Sequence, residues 1–220
     1  MAYKKAVLFD LDGTLLNSLP DIARCMNRAL SLNGLPEHPL DAYRYFTGNG
    51  ALTLARRAVG EDRQDIAAQV LRSYSPYYSA HCYDESCLYE GIPEMISMLQ
   101  DAGLRTAVFS NKDDGDVERV IRHYFPVSPF AMTRGRLEGI PLKPDPAGAL
   151  RIAREMGLQP SDFWYLGDTP VDLRTCVDAG MRFIAAGWGF RTPQELREAG
   201  AECIALTPLE AARIMLEDLS

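Results

Sequence analysis

The sequence predicts an α/β protein with a Rossmann-like parallel sheet core and a small all-helical cap inserted after the first strand. Predicted strands and helices alternate from Gly91 onward, which is typical of a parallel sheet with helical crossovers. Between the first strand and this region, every periodic segment has helical spacing. The chain has 220 residues, 47% of them hydrophobic, which is enough for one core and a small insert. We therefore assign residues 1–19 and 85–220 to the core and residues 20–84 to the cap.

The first strand and the helices of the cap follow from apolar patterning. Ala6–Phe9 is a short apolar run, which predicts a buried strand. Ser18 and Asp21 have a spacing like that of a capping box, so we expect a helix to begin there and to end at Asn33 and Gly34. Further helices of the cap are predicted over 40–46, 51–59 and 65–78.

The later elements of the core are predicted from the same periodicities. Strands are expected over 104–109, 129–132, 163–166, 183–186 and 203–205. Helices are expected over 92–102, 113–124, 145–156, 171–179, 193–199 and 209–216, with Asp145 capping the third of them. The carboxyl ends of such parallel strands meet at one edge of the sheet, where ligands bind.

Composition limits the classes of partner. The net charge of −7 and the absence of a basic block argue against nucleic-acid binding. No apolar run is long enough to span a bilayer, and no secretion signal is visible. The five cysteines include no CxxC pair, which is typical of reduced thiols. We expect a cytoplasmic monomer or homodimer with no nucleic-acid or membrane partner.

Asp10 and Asp12 form the most informative motif. They follow the first strand with one residue between them, so their carboxylates are expected to point to the same side. Like charges in one place are costly unless a cation or a shared proton holds them. Gly13 allows a sharp exit of the backbone, and Thr14 adds a hydroxyl. The run predicts a hard-metal site combined with a carboxylate nucleophile.

Three further motifs follow predicted strands. Ser110 and Asn111 offer a hydroxyl and backbone N–H groups to an anion. Lys143 precedes a helix start, where its charge suits a phosphate, although a solvated loop lysine gives the same pattern. Asp168 ends a strand and Asp172 begins the next helix, where a cation or ordinary helix capping would accommodate Asp172.

Taken in order, these motifs resemble those of the haloacid dehalogenase-like hydrolases. The matching runs are Asp-x-Asp-Gly-Thr at 10–14, Ser110, Lys143, and Gly-Asp-x-x-x-Asp at 167–172. The resemblance covers essentially the whole chain, and the insert lies where these enzymes carry a small helical cap. Within the family, the chain is most similar to phosphoglycolate phosphatases, through the runs 15–22, 47–50, 110–112, 141–146 and 187–190.

The resemblance implies Mg²⁺-dependent hydrolysis of a small phosphate monoester, with 2-phosphoglycolate as the expected substrate. It implies that Asp10 attacks phosphorus to form an aspartyl-phosphate, and that Asp12 acts as general acid and then as general base. Mg²⁺ is expected on Asp10, the Asp12 backbone carbonyl and Asp168, with Asp172 in support. Ser110 and Lys143 are expected to be catalytic, by neutralising phosphoryl oxygens. The expected substrate-binding residues are Thr14, Gly48, Asn49, Ser110, Asn111 and Lys143.

Asp12 separates this chain from other branches of the family it resembles. A dehalogenase needs no acid at this position, because halide leaves without a proton. The phosphonate-cleaving members resemble a pattern that lacks the second aspartate and uses a lysine of the cap. This chain has no lysine between Lys5 and Lys112, which argues against that branch.

The cap is expected to set specificity by closing over the pocket and excluding water. Its loop Gly48-Asn49-Gly50 is expected to reach the site, unless it is only a turn between helices. Arg56 and Arg57 could meet a substrate carboxylate or could form a solvated helix face.

Several alternatives remain open from sequence. The substrate could be a sugar phosphate or pyrophosphate, and a phosphomutase would use the same aspartyl chemistry. The run 187–192 has the first two glycines of a dinucleotide-binding turn but lacks the third. A catalytically inactive ligand-binding or regulatory module would keep the same fold.

Overall fold

The structure is a computed structural model, and it describes residues 5–217. The described residues contain the strands β1 (Ala6–Phe9), β2 (Leu16–Asn17), β3 (Cys87–Leu88), β4 (Arg105–Asp113), β5 (Met132–Arg136), β6 (Phe163–Gly167), β7 (Arg182–Ala186) and β8 (Ile204–Ala205). Six of them form one parallel sheet in the order β5-β4-β1-β6-β7-β8. This arrangement confirms the predicted α/β fold. Residues 1–4 and 218–220, which the sequence assigns to the core, lie outside the described residues.

Helices cover both faces of this sheet. The helices are α1 (Leu19–Leu32), α2 (Tyr43–Phe46), α3 (Ala51–Val59), α4 (Ala67–His81), α5 (Ile92–Asp101), α6 (Asp114–Tyr124), α7 (Ala147–Glu155), α8 (Pro170–Ala179), α9 (Pro193–Glu198) and α10 (Pro208–Glu217). On β1, Ala6 and Leu8 share an apolar cluster with residues of α7 and α8. Val7 and Phe9 share the other cluster, with residues of α5, α6 and α10. The alternation of one strand thus fixes two apolar layers.

The helices α1 to α4 follow one another between β2 and β3. Their apolar faces pack together through residues such as Met26 of α1, Leu54 of α3 and Val70 of α4. The segments that lead into and out of these helices are held together, because β2 and β3 pair antiparallel. This pair is too short for a sequence pattern to predict. The division of the chain into a core and a cap stays a prediction.

The edge of the sheet differs from the prediction. The sequence predicts a strand over 129–132, whereas β5 is Met132–Arg136 and lies at the sheet edge. An edge strand does not need a continuous apolar run, and β5 contains Gly135 among polar residues. A Cβ at Gly135 would lie 2.5 Å from Asp114 Cα, so β5 can lie against the start of α6 only with glycine there.

The neighbouring strand β4 is longer than predicted. It continues through Ser110 to Asp113, and its register with β5 shifts between Phe109 and Asp113. Such irregularities are common beside active sites, where they re-aim side chains. The polar run that the sequence analysis places after the strand is therefore extended backbone.

The predicted capping box at the start of α1 is wrong. The Ser18 hydroxyl makes no capping hydrogen bond, and no described residue is its hydrogen-bond partner. Asp21 is fully buried and accepts hydrogen bonds from the Ser86 hydroxyl, at 2.7 Å, and from the backbone N–H groups of Glu85 and Ser86. Arg24 adds an ion pair at 2.7 Å. Asp21 therefore ties α1 to the segment before β3.

The start of α7 also differs by a small shift. The helix begins at Ala147 and its N-cap is Pro146, so Asp145 lies one residue before the N-cap position that was predicted for it. Its carboxylate still accepts a hydrogen bond from the Ala147 N–H, at 2.9 Å. The residue keeps a turn-forming role, but outside the N-cap position. Within residues 5–217, no helix has both the length and the apolar character to cross a membrane.

We predict that Asp21→Ala lowers the free energy of unfolding by about 2–4 kcal/mol, because it leaves buried donors without their acceptor. Burial raises the pKa of Asp21, but hydrogen bonds from Arg24 and Ser86 outweigh this effect and lower that pKa overall. The stabilisation is therefore complete above a pH of about 4, the usual range of aspartate, and is lost below it. Urea denaturation at several pH values measures both effects.

The control is Asp41→Ala, because the Asp41 side chain is 90% exposed and meets Arg44 only at 3.4 Å. This change is expected to cost less than about 0.5 kcal/mol. Equal effects of the two substitutions would show that Asp21 does not tie these segments together.

Candidate active site

Three adjacent strands bring the first predicted site residues together. β4, β1 and β6 are neighbours, and Asp10 and Asp168 directly follow β1 and β6. Ser110 lies in β4 one residue after Phe109, the last residue before the register shift. All three side chains are buried. The carboxyl edge of the sheet therefore holds a hydroxyl and two carboxylates at the ends of its central strands.

Lys143 lies among these carboxylates. Its Nζ is 2.7 Å from Asp10 Oδ1 and 2.7 Å from Asp172 Oδ1, and it donates to the Phe109 carbonyl at 3.2 Å. The Lys143 side chain is buried, so water does not screen these ion pairs effectively. Lys143 is therefore not the solvated loop lysine that its sequence pattern also allowed.

The pKa values of this cluster are perturbed. The pKa of Asp10 is raised to about 7 as the net result of three main effects. Burial raises it most, the Asp172 charge raises it further, and Lys143 lowers it. Burial also raises the pKa of Asp168, and the charges of Asp10 and Asp172 add to that increase. Burial lowers the pKa of Lys143, but the Asp10 and Asp172 charges outweigh it and raise the pKa overall. Such buried and mutually repelling carboxylates are typical of functional sites.

The same residues fit a divalent cation. Asp10, Asp168 and Asp172 each offer a carboxylate oxygen, and these oxygens lie within 4.8 Å of one another. Asp172 already binds Lys143 through Oδ1 and Thr169 through Oδ2, so Asp10 and Asp168 are better placed as direct ligands. With Asp12, four carboxylates face the two ammonium groups of Lys112 and Lys143. A divalent cation would balance that charge, and carboxylate oxygens suit Mg²⁺.

Close packing holds Asp168 in place. The Thr14 hydroxyl donates to Asp168 Oδ1 at 3.0 Å, and the Phe190 N–H donates to Oδ2 at 2.7 Å. Gly13 has a φ of 89°, and a Cβ there would overlap the Asp168 carboxylate. The structure thus places the Thr14 hydroxyl on Asp168, away from the cavity, and requires glycine at position 13.

The loop 187–192 contributes to the same support. Phe190 donates the backbone hydrogen bond just described, and the Trp188 indole donates to the Thr14 carbonyl at 2.9 Å. Gly189 packs against Asp168 so closely that a Cβ would overlap the aspartate's own Cβ. Of the two glycines that suggested a dinucleotide-binding turn, Gly189 is therefore part of the packing around a buried carboxylate, and Gly187 packs against β8, where a Cβ would lie 2.9 Å from the Ala205 carbonyl oxygen.

Asp12 is paired with a residue to which the sequence analysis gave no role. Lys112 Nζ lies 2.5 Å from Asp12 Oδ1, and the lysine side chain is only 6% exposed. A signal existed, because Lys112 is two residues after Ser110, and alternate residues of a strand share a face. What sequence could not supply is the partner, which lies 100 positions earlier in the chain.

Asn111 organises the site through its side-chain amide. Its Nδ2 donates to the Gly48 carbonyl at 2.9 Å and to the Lys143 carbonyl at 3.0 Å, and its Oδ1 accepts from the Lys143 N–H at 2.8 Å. The amide therefore positions the Lys143 backbone and contacts the loop between α2 and α3. The Ser110 hydroxyl accepts the Lys112 N–H at 3.2 Å, which fixes the turn of the backbone beside it.

The loop 47–50 reaches the site in part. Gly48 and Gly50 line the cavity, and a Cβ at Gly50 would lie 3.0 Å from the Leu142 side chain. Asn49 is not among the cavity-lining residues, and its Oδ1 accepts from Arg57 at 2.8 Å. Arg57 also donates to the Phe46 carbonyl at 3.1 Å, so it holds this loop. Arg56 is exposed, as a solvated helix face requires.

One cavity connects these groups. It is lined by Asp10, Asp12, Ile22, Thr47, Gly48, Gly50, Ala51, Leu54, Tyr74, Ser75, Tyr78, Ser110, Asn111, Lys112, Asp113, Asp116, Lys143, Thr169 and Asp172. Its floor is the polar edge of the sheet, and its roof is formed by residues of α1, α3 and α4. The carboxylates of Asp10 and Asp12 therefore lie beneath a wall that is largely apolar and aromatic.

Comparison with known proteins assigns this arrangement to a family. A model of the haloacid dehalogenase-like hydrolases matches residues 7–186. A phosphoglycolate phosphatase of Mannheimia succiniciproducens is 31% identical over 194 residues, covering 84% of this chain and 87% of that protein. An N-acetylmuramic acid 6-phosphate phosphatase of Pseudomonas aeruginosa is 30% identical over 220 residues, covering 96% and 94%.

A solved structure gives the same result at the level of the fold. A crystal structure from Lactobacillus delbrueckii subsp. bulgaricus superposes with a TM-score of 0.92 at 26% identity, covering 97% of this chain and 99% of that one. The family match spans every strand of the parallel sheet except β8, and it includes each of the four motifs found in the sequence. The predicted resemblance and the prediction of an enzyme are confirmed: the chain belongs to the haloacid dehalogenase-like hydrolase family.

Proposed function

We propose that this protein is a Mg²⁺-dependent phosphatase that hydrolyses a small phosphate monoester, with 2-phosphoglycolate as the favoured substrate. The observation that carries the proposal is the cluster of Asp10 and Lys143 in the lining of the cavity, with Asp12 beside them and the buried Asp168 carboxylate within 4.8 Å of that of Asp10. This cluster combines a carboxylate nucleophile, ligands for a cation and a positive charge for phosphoryl oxygens. The relatives named as phosphatases support the same reaction.

Asp10 is the proposed nucleophile. Its carboxylate lines the cavity and is held by Lys143 at 2.7 Å, so one oxygen is fixed in position. Attack on phosphorus by the other oxygen forms an acyl phosphate on Asp10 and releases the leaving alcohol. Water then attacks phosphorus in this intermediate, which returns Asp10 as a carboxylate and releases inorganic phosphate.

Asp12 is the proposed acid and base. It lines the same cavity two residues from Asp10, on the side of Lys112. In the first step it gives a proton to the ester oxygen of the leaving alcohol, and in the second it takes a proton from the attacking water. An alcohol is a poor leaving group without that proton, so this residue matters most for alkyl esters.

Lys143 and Ser110 are proposed to hold the phosphoryl group. Lys143 is fixed by Asp10, Asp172 and the Asn111 amide, so its ammonium is in place before substrate binds. Ser110 adds a buried hydroxyl from the neighbouring strand β4. Mg²⁺, held by Asp10, Asp168 and the Asp12 backbone carbonyl with support from Asp172, would supply charge to neutralise the phosphoryl oxygens. Preorganised charge of this kind is the main source of catalysis in phosphoryl transfer.

Substrate and location are supported less directly. The relative named phosphoglycolate phosphatase supports 2-phosphoglycolate, and the relative named N-acetylmuramic acid 6-phosphate phosphatase supports a sugar phosphate as the second candidate. The test is phosphate release from a panel that includes both esters and pyrophosphate, with Mg²⁺ and with chelator.

Free cysteines throughout the chain support a cytoplasmic location. A phosphomutase would return an isomeric phosphate ester, so product analysis excludes or identifies it.

We predict that Asp10→Asn lowers kcat at least about a thousandfold, because no carboxylate remains to attack phosphorus. Asp12→Asn with p-nitrophenyl phosphate is the matched comparison, because this leaving group needs little help from an acid. That variant should still phosphorylate Asp10 and should then accumulate the intermediate, which intact-protein mass spectrometry detects. Turnover by Asp10→Asn, or no phosphorylated protein with Asp12→Asn, would contradict the assigned roles.

We also predict that Mg²⁺ binds more tightly as pH rises, up to a pH near 7. Burial and Asp172 raise the pKa of Asp10 to about 7, so below that pH a proton competes with the cation. With one competing proton, the Kd should fall by up to about tenfold per pH unit below this value and change little above it. Isothermal titration calorimetry gives the Kd, with Asp10→Asn as a variant that lacks this proton. A Kd independent of pH would contradict the prediction.

A further inference from the structure

We propose that Lys112 and Tyr78 form the part of the site that recognises the leaving group, and that they select phosphate esters whose alcohol carries a carboxylate. The inference rests on the proposed function, because it divides the same cavity into a phosphoryl end and a leaving-group end. The phosphoryl end holds Asp10 and Lys143, and Asp12 stands at the boundary.

Lys112 is the cation of the leaving-group end. Among the described residues that line the cavity, the positively charged side chains are Lys112 and Lys143. Lys143 is occupied by Asp10 and Asp172, whereas Lys112 has an ion pair with Asp12 alone. An ammonium carries three donor hydrogens, so Lys112 can bind a second carboxylate while it keeps Asp12.

Tyr78 supplies a second donor. Its side chain lines the cavity and is 3% exposed, and its hydroxyl has no hydrogen-bond partner within residues 5–217. A buried hydroxyl without a partner costs about 1–3 kcal/mol, so such a group requires an explanation. The Tyr78 ring lies beneath Lys112, with Nζ 5.3 Å from the ring centroid. Tyr78 and Lys112 are therefore neighbours, and a bound oxyanion would satisfy both.

The acidic residues around this end do not cancel the charge of Lys112 by contact. Asp113 pairs with Arg136 at 2.6 Å, and Asp116 pairs with Arg119 at 2.7 Å. Asp116 also accepts from the Ser79 hydroxyl at 2.7 Å. The lining there also includes Ile22, Leu54 and Tyr74, with the Ser75 hydroxyl as a neutral polar group. With one ammonium group and mainly apolar or aromatic walls, this lining favours a small leaving group with one anionic end.

The geometry matches a carboxylate close to the ester oxygen. The leaving oxygen must lie at Asp12, which protonates it, and Lys112 Nζ is 2.5 Å from Asp12. In 2-phosphoglycolate, a single methylene separates the ester oxygen from the carboxylate. A carboxylate at that separation reaches Lys112 while the ester oxygen stays at Asp12.

The test compares two esters of similar size, 2-phosphoglycolate and 2-hydroxyethyl phosphate, which has a neutral hydroxymethyl group in place of the carboxylate. For the wild-type enzyme, kcat/KM should favour phosphoglycolate. In Lys112→Gln this ratio should fall about 10- to 100-fold, which corresponds to loss of a hydrogen bond between charged groups. In Tyr78→Phe it should fall about 3- to 10-fold. Lys112→Arg should keep part of the preference, because it keeps the charge.

Tyr77→Phe is the matched control, because Tyr77 lies in the same helix and packs beneath Arg28, and it is not among the cavity-lining residues. Its ratio should equal that of the wild type. An equal loss for both esters in Lys112→Gln would show that Lys112 acts only on Asp12, and would overturn the proposal. A wild-type ratio near one would also overturn it.

Failure of the proposed function gives a different result. In that case the wild type releases no phosphate from either ester, and this proposal falls with it. Circular dichroism establishes whether each variant folds. Should Lys112→Gln not fold, the ratios of Tyr78→Phe and Lys112→Arg decide the question.

Discussion

Repulsion among the carboxylates at the ends of β1 and β6 is the constraint on which the rest of the site depends. Asp10, Asp168 and Asp172 are buried within a few ångströms of one another, where water cannot disperse their charge. Lys143 neutralises part of it, and its backbone is in turn held by Asn111. Asp168 is fixed by the Thr14 hydroxyl and by the Phe190 N–H, and Gly13 and Gly189 leave room for its carboxylate. Many of the polar contacts at this edge of the sheet thus stabilise a few buried charges in an unfavourable place.

The helices and strands could be predicted wherever their own apolar pattern is sufficient to identify them. The buried strand β1 is a continuous apolar run, and the helices of the core show regular apolar spacing. β5 could not be placed, because an edge strand buries little and its backbone is shaped by the helix start it touches. The capping box failed for a related reason. Asp21 has the correct spacing for a local bond, but tertiary donors from Glu85 and Ser86 bind it instead.

The site residues divide in the same way, into those that a local sequence pattern predicts and those whose role depends on distant partners. Asp10, Asp168 and Lys143 could be predicted to converge, because each follows a strand or precedes a helix at the same sheet edge. The position of Lys112 in the site could not be predicted, because it depends on contacts with Asp12 and Tyr78, which are distant in sequence. Arg57 illustrates the opposite case. It is a cation near the cavity, yet its donors are taken by backbone carbonyls and by Asn49, so it holds a loop.

The Asn111 amide has a consequence for how the cavity opens. Within this one side chain, the bond to the Gly48 carbonyl joins the loop 47–50 to the sheet, and the other bonds join the sheet to the backbone of Lys143. Separating the two layers at this point costs a single neutral hydrogen bond, about 1 kcal/mol, which is comparable to thermal energy. The amide keeps its grip on Lys143 while that bond breaks and reforms. Loss of the bond to Gly48 alone therefore leaves the hydrogen bonds that position the Lys143 backbone in place.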